Sequence, residues 1–188
     1  MSYSRRQFIR DGGIGLLTFQ LAGCATQLTP EQAHGAGVSL KKLSGTEAKT
    51  LAALGEVLLP GSAEKGLVEF IDHQLAAPVE EQLLMIKYVG PPPPYDGFYQ
   101  GGLAALNQAA QAAAGADFAN LSTERQTKLV GEMAQGKLEN WGGPPPPFFY
   151  FVLRNDAVDV SYGTKSGMES LGVPYMAHIE PSTPWEAG

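Results

Sequence analysis

The sequence predicts an all-α protein: an irregular bundle of about five to seven helices, joined by long Pro/Gly-rich loops and ending in an extended C-terminal arm. Three observations predict it. Apolar residues recur at helical spacing, as at Leu51, Leu54 and Leu58. No segment carries a convincing alternation of apolar and polar residues. Glycine (23) and proline (14) take a large share of the 188 residues, so loops must be extensive.

The chain opens Met1-Ser2-Tyr3-Ser4-Arg5-Arg6-Gln7-Phe8-Ile9-Arg10. Paired arginines after Ser4, with Phe8 behind them, resemble the twin-arginine export signal of bacteria. The apolar stretch from Ile14 to Gly23 is roughly half the ~20 residues that a membrane-spanning helix needs. Gly15 and Gln20 interrupt it, so it reads as the apolar part of a leader and not as an anchor. It ends in Leu21-Ala22-Gly23-Cys24, which resembles a lipobox. Lipidation of Cys24 would add about 0.8 kcal/mol of membrane affinity per buried CH₂. Two outcomes stay open: acylation of Cys24, or ordinary cleavage nearby with Cys24 lost or left free. Residues 1–24 are thus read as a leader, 25–43 as a polar tether, and 44–188 as one helical domain.

The helices of that domain follow in order. Ser44 and Glu47 form the sequence pattern of a capping box, and Pro60-Gly61 stops the helix they begin. A second helix is expected from about Leu67 to Ala77. Leu67, Phe70, Ile71 and Leu75 mark its buried stripe, with Glu69, Asp72 and Gln74 mostly on the other side. The apolar run Leu83–Ile86 is expected to be helical. Pro91–Pro94 and Pro144–Pro147 each precede aromatics and exclude helix where they lie. They are stiff connectors that begin helices or, alternatively, docking ridges for a partner. An alanine-rich helix from about Tyr99 to Ala114 stops at Gly115. Ser122 offers an N-cap for a helix to about Gln135. The last substantial helix runs from Phe149 to about Tyr162, and a short one is expected near Lys165–Leu171.

Composition excludes several functions. The formal net charge is −6; removing Arg5, Arg6, Arg10 and Asp11 with the leader leaves ten basic against eighteen acidic residues, or −8. Such a body has no electrostatic footprint for nucleic acid. One cysteine excludes an intrachain disulfide, a Cys-based zinc site, an iron–sulfur cluster and a C-x-x-C-H haem attachment within this chain. No G-x-G-x-x-G or Walker loop is present. His34, His73 and His178 are scattered, and Asp72 and His73, adjacent on a helix, point away from each other. Glu80-Glu81 and the Asp156/Asp159 pair read as solvated helix surface. No nucleophile–base spacing stands out, so no catalytic, cofactor-binding or metal-binding residues are assigned.

A twin-arginine signal serves proteins exported already folded. On a chain without a cofactor motif it is most simply explained as serving a partner. The tail from Pro174 to Trp185 carries three prolines, Tyr175 and Trp185, and would be floppy alone. Its aromatics either anchor on a partner or pack back on their own domain.

Several of these residues resemble the gluconate 2-dehydrogenase subunit 3 family. Asp159-Val160-Ser161-Tyr162-Gly163-Thr164, Leu171-Gly172-Val173-Pro174-Tyr175-Met176-Ala177-His178-Ile179-Glu180-Pro181 and Pro184-Trp185 carry the resemblance. Leu58-Leu59-Pro60-Gly61 and Gly66–Asp72 are also similar to it. The resemblance covers roughly residues 44–185. It implies the small, gamma-type subunit of a periplasmic, membrane-associated sugar, sugar-acid or polyol dehydrogenase. The implied partner is a large FAD-binding subunit of the glucose–methanol–choline type, often completed by a multihaem cytochrome c. The FAD then lies in the catalytic partner, and iron–sulfur or haem groups lie elsewhere in the complex. The large subunit generally lacks a signal of its own, so the small one is its export escort and engages the twin-arginine translocase. Pro174, Tyr175, Met176, His178, Pro181 and Trp185 are the expected partner interface. The alternative class is a free-standing periplasmic lipoprotein that binds a ligand or an envelope partner. An independent enzyme is disfavoured for want of a catalytic constellation.

Overall fold

The structure is a computed structural model that describes residues 17–21 and 24–172. Among these residues it contains seven α-helices and one two-stranded sheet. Strands β1 (Leu17–Leu21) and β2 (Cys24–Leu28) pair antiparallel, with Leu17 opposite Leu28 and Phe19 opposite Thr26. The helices are α1 (Pro30–Ala36), α2 (Gly45–Leu58), α3 (Leu67–Ala76), α4 (Asp96–Ala114), α5 (Thr123–Ala134), α6 (Pro146–Tyr162) and α7 (Lys165–Ser170). Short 3₁₀ turns lie at Val79–Glu81, Met85–Tyr88 and Phe118–Asn120.

Local chemistry accounts for most helix ends. At α2 the Ser44 hydroxyl accepts from the Glu47 N–H, and the Glu47 carboxylate accepts from the Ser44 N–H at 2.7 Å. Gly115 ends α4 in the left-handed conformation, φ 69°. Thr164 starts α7 by accepting from the Gly167 N–H. Ser122 stands at the cap position of α5, but its side chain makes no capping bond.

Four expectations are corrected. A strand pair does form, and α1 lies within the segment read as a polar tether. Thr29 and Gln32 make a reciprocal capping box there, with Pro30 in the first turn. That pattern is as local as the one at Ser44, but its polar, glycine-containing surroundings hid it. Second, Leu83–Ile86 is not a helix; the 3₁₀ turn at Met85–Tyr88 takes its place. Third, the second proline run does not exclude helix throughout. Pro146 and Pro147 form the first turn of α6, where no backbone N–H is needed, and the N–H groups of Phe148 and Phe149 close on the Pro145 carbonyl at 3.0 and 2.9 Å. Fourth, Glu69, Asp72 and Gln74 are buried. Helix α3 has α1, α2 and α6 packed around it, so it has no free polar face.

The main core lies between α2, α3, α4, α5 and α6, with Phe70, Tyr99, Phe118 and Phe149 fully buried. α4 crosses α6 at Gly102, where a Cβ would overlap the Phe149 ring. A second, small cluster of Phe19, Ala33 and Val38 joins the sheet to α1. Gly66, φ 85°, lets the start of α3 approach the Pro30 carbonyl so closely that a Cβ would overlap it.

Candidate functional site

Helix α3 supplies the polar groups of the N-terminal face. Successive helical residues diverge by about 100°, and Asp72 and His73 accordingly serve different segments. The Asp72 carboxylate accepts the backbone N–H groups of Lys41, Lys42 and Leu43 at 2.8, 2.8 and 2.9 Å. It clamps the connection between α1 and α2 onto α3. His73 turns toward the sheet, with Nε2 3.1 Å from the Thr18 carbonyl oxygen and its ring 4.9 Å from that of Phe19. Burial lowers its pKa, against the opposing effect of the Thr18 carbonyl. The neutral ring donates from Nε2 to Thr18, leaving Nδ1 buried and without a partner. One turn earlier Glu69 meets His34 Nδ1 at 3.0 Å. Beside His73 an open pocket of about 320 Å³ is lined by Leu17, Thr18, Lys41, Pro78 and Leu83.

The second polar locus is internal. Asp156, expected on the surface of its helix, is fully buried, on the same side of α6 as Phe149, Val152, Leu153 and Val160. Its Oδ1 accepts the Met85 N–H at 2.8 Å and its Oδ2 accepts the Tyr99 hydroxyl at 2.6 Å. Burial pushes its pKa up to about 7, against the hydrogen bonds from Tyr99 and Met85, which lower it. Burial and the neighbouring carboxylate push Tyr99 well above its ordinary value. Asp159, also expected to be solvated, is partly buried and raised by that burial. The signal for Asp156 was present: it sits one turn from both Val152 and Val160 in the apolar stripe. The carboxyl is enclosed, so it ties α4, α6 and the Met85–Tyr88 turn together and has no route to a substrate.

The predicted site residues divide by position. Ser4, Arg5, Arg6 and Phe8 lie outside the described residues, as do Pro174, Tyr175, Met176, His178, Pro181 and Trp185. Cys24 is exposed, with a free thiol, at the start of β2. Among the described residues no three His, Cys, Asp or Glu side chains gather to hold a metal. Nor is any described helix long and apolar enough to cross a membrane. Tyr88, which sequence reasoning did not single out, and Phe151, one of the aromatics behind the second proline run, stand exposed at 64% and 45%. Exposed aromatics of that size suit contact with another chain.

The Asp72 and Asp156 carboxyls thus hold segments of the chain together. The family model for gluconate 2-dehydrogenase subunit 3 matches residues 45–178, and the chain belongs to that family. The match starts at the first residue of α2 and leaves the sheet and α1 outside it. No curated protein and no solved structure matches the chain. Family membership makes this an accessory subunit of a dehydrogenase complex and implies a partner dehydrogenase subunit.

Proposed function

We propose that this chain is the non-catalytic small subunit of a membrane-associated, FAD-dependent sugar, sugar-acid or polyol dehydrogenase. It escorts the flavoprotein catalytic subunit through the twin-arginine translocase and stabilises it in the periplasm. The observation that carries the reading is a twin-arginine pattern, Ser4-Arg5-Arg6-Gln7-Phe8, in front of a dehydrogenase-subunit body whose sequence has no cofactor motif. A leader for folded cargo then serves the partner, which binds its FAD before export. Any haem or iron–sulfur group belongs to other subunits.

The tail residues Pro174, Tyr175, Met176, His178, Pro181 and Trp185 supply aromatic anchors for the partner, and acylated Cys24 holds the complex at the inner membrane. Exposure of the Cys24 thiol supports the second part. Replacing Arg5 and Arg6 by lysine strands both chains in the cytoplasm; a flavoprotein that still reaches the periplasm overturns the escort reading. Native pull-down of the chain brings down a flavin-containing subunit. Recovery of a stable monomer alone would instead favour a free-standing lipoprotein.

A further inference from the structure

The segment ahead of the family match carries a property that the match does not assign. Leu17–Leu21 lies within the apolar stretch of the leader, yet in the structure it is a strand held on the folded body. Phe19 is 5% exposed, packed with Ala33 and Val38. Leu17 packs against both apolar clusters. The Thr18 carbonyl accepts from His73 on α3 at 3.1 Å. A two-stranded hairpin is marginal by itself in water, so this one depends on the surface beneath it.

We propose that the body is a binding site for its own leader: Leu17–Leu21 seats on β2 with Phe19 against α1 and His73, masking the apolar leader until export machinery withdraws it. The two uses exclude each other, because residues paired along β2 are unavailable to the machinery or to the bilayer. Seating also keeps Phe19 and part of Leu17 from water, which suppresses aggregation of the precursor. Cleavage ahead of Cys24 releases β1 and leaves β2 as an unpaired edge, with His73 deprived of its acceptor. The precursor and the mature chain therefore present different surfaces at this face.

The inference rests on reading residues 1–24 as a leader, but its test is separate from the export test. Hydrogen exchange is measured by mass spectrometry on the purified full-length precursor. Amides of Leu17–Leu21 and Cys24–Leu28 are expected to exchange at least ~10-fold more slowly than in unstructured chain. Phe19→Ser brings them to within about 3-fold of the unstructured rate while the amides of α3 and α6 keep their protection. His73→Ala gives an intermediate loss. Unprotected amides at Leu17–Leu21 in the wild-type precursor, or protection unchanged in Phe19→Ser, overturns the proposal. Replacing Arg5 and Arg6 by lysine leaves this protection intact while export fails, so each reading can fail independently.

Discussion

The cluster around Phe19 has three buried members, Phe19, Ala33 and Val38, whereas the one between α2 and α6 has 24. The larger cluster is closed by aromatic rings and by an internal carboxyl that bonds to two other segments. The smaller depends on one ring, one carbonyl-to-histidine hydrogen bond and a strand pair. Apolar burial contributes in proportion to area, so the first holds the protein folded and the second holds a segment that can leave. Asp72 is the seam between them, fixing Lys41–Leu43 to α3.

The largest effect should come from Phe149→Ala. It empties the crossing at Gly102 and is expected to cost about 3–5 kcal/mol in urea denaturation. Asp156 follows, through pH. Its pKa rises from 3.8 to about 7 on folding, so between those values the folded protein holds a proton that the unfolded chain has lost. Its contribution is fully present below pH ~4 and is lost as pH rises to ~7, a fall on the order of 4 kcal/mol for the group taken alone. Asp159 acts in the same direction. Asp156→Asn should flatten most of that slope in thermal melts across the window. Asp72→Ala removes a charged acceptor from three N–H groups and should cost about 3 kcal/mol, with the amides of Lys41–Leu43 losing exchange protection. Smallest is Phe19→Ser: a change within about 0.5 kcal/mol in global stability, because the hairpin detaches below the energy of global unfolding. A large loss of global stability there would erase the distinction between the two clusters.

Helix starts and stops were legible where the signal is local. Ser44 with Glu47, Pro60 and Gly115 each act through bonds within a few residues, so the sequence alone located them. Thr29 and Gln32 carry the same signal at α1, passed over because the surrounding composition resembled a linker. The strand at Leu17–Leu21 was not legible. Leu17, Phe19 and Leu21 alternate with Thr18 and Gln20, but within a short apolar stretch behind paired arginines that pattern serves a leader as well as a strand, and only the packing of Phe19 with Ala33 and Val38 distinguishes them.

The sequence by itself determined the helical class, most helix positions, the family resemblance and the export motif, because periodicity, capping and short motifs are local properties. Tertiary structure decided which polar residues are buried. Glu69, Asp72, Gln74 and Asp156 are inside because other elements close over α3 and α6 from several directions. Burial depends on that three-dimensional enclosure, and a pattern read along one helix does not contain it.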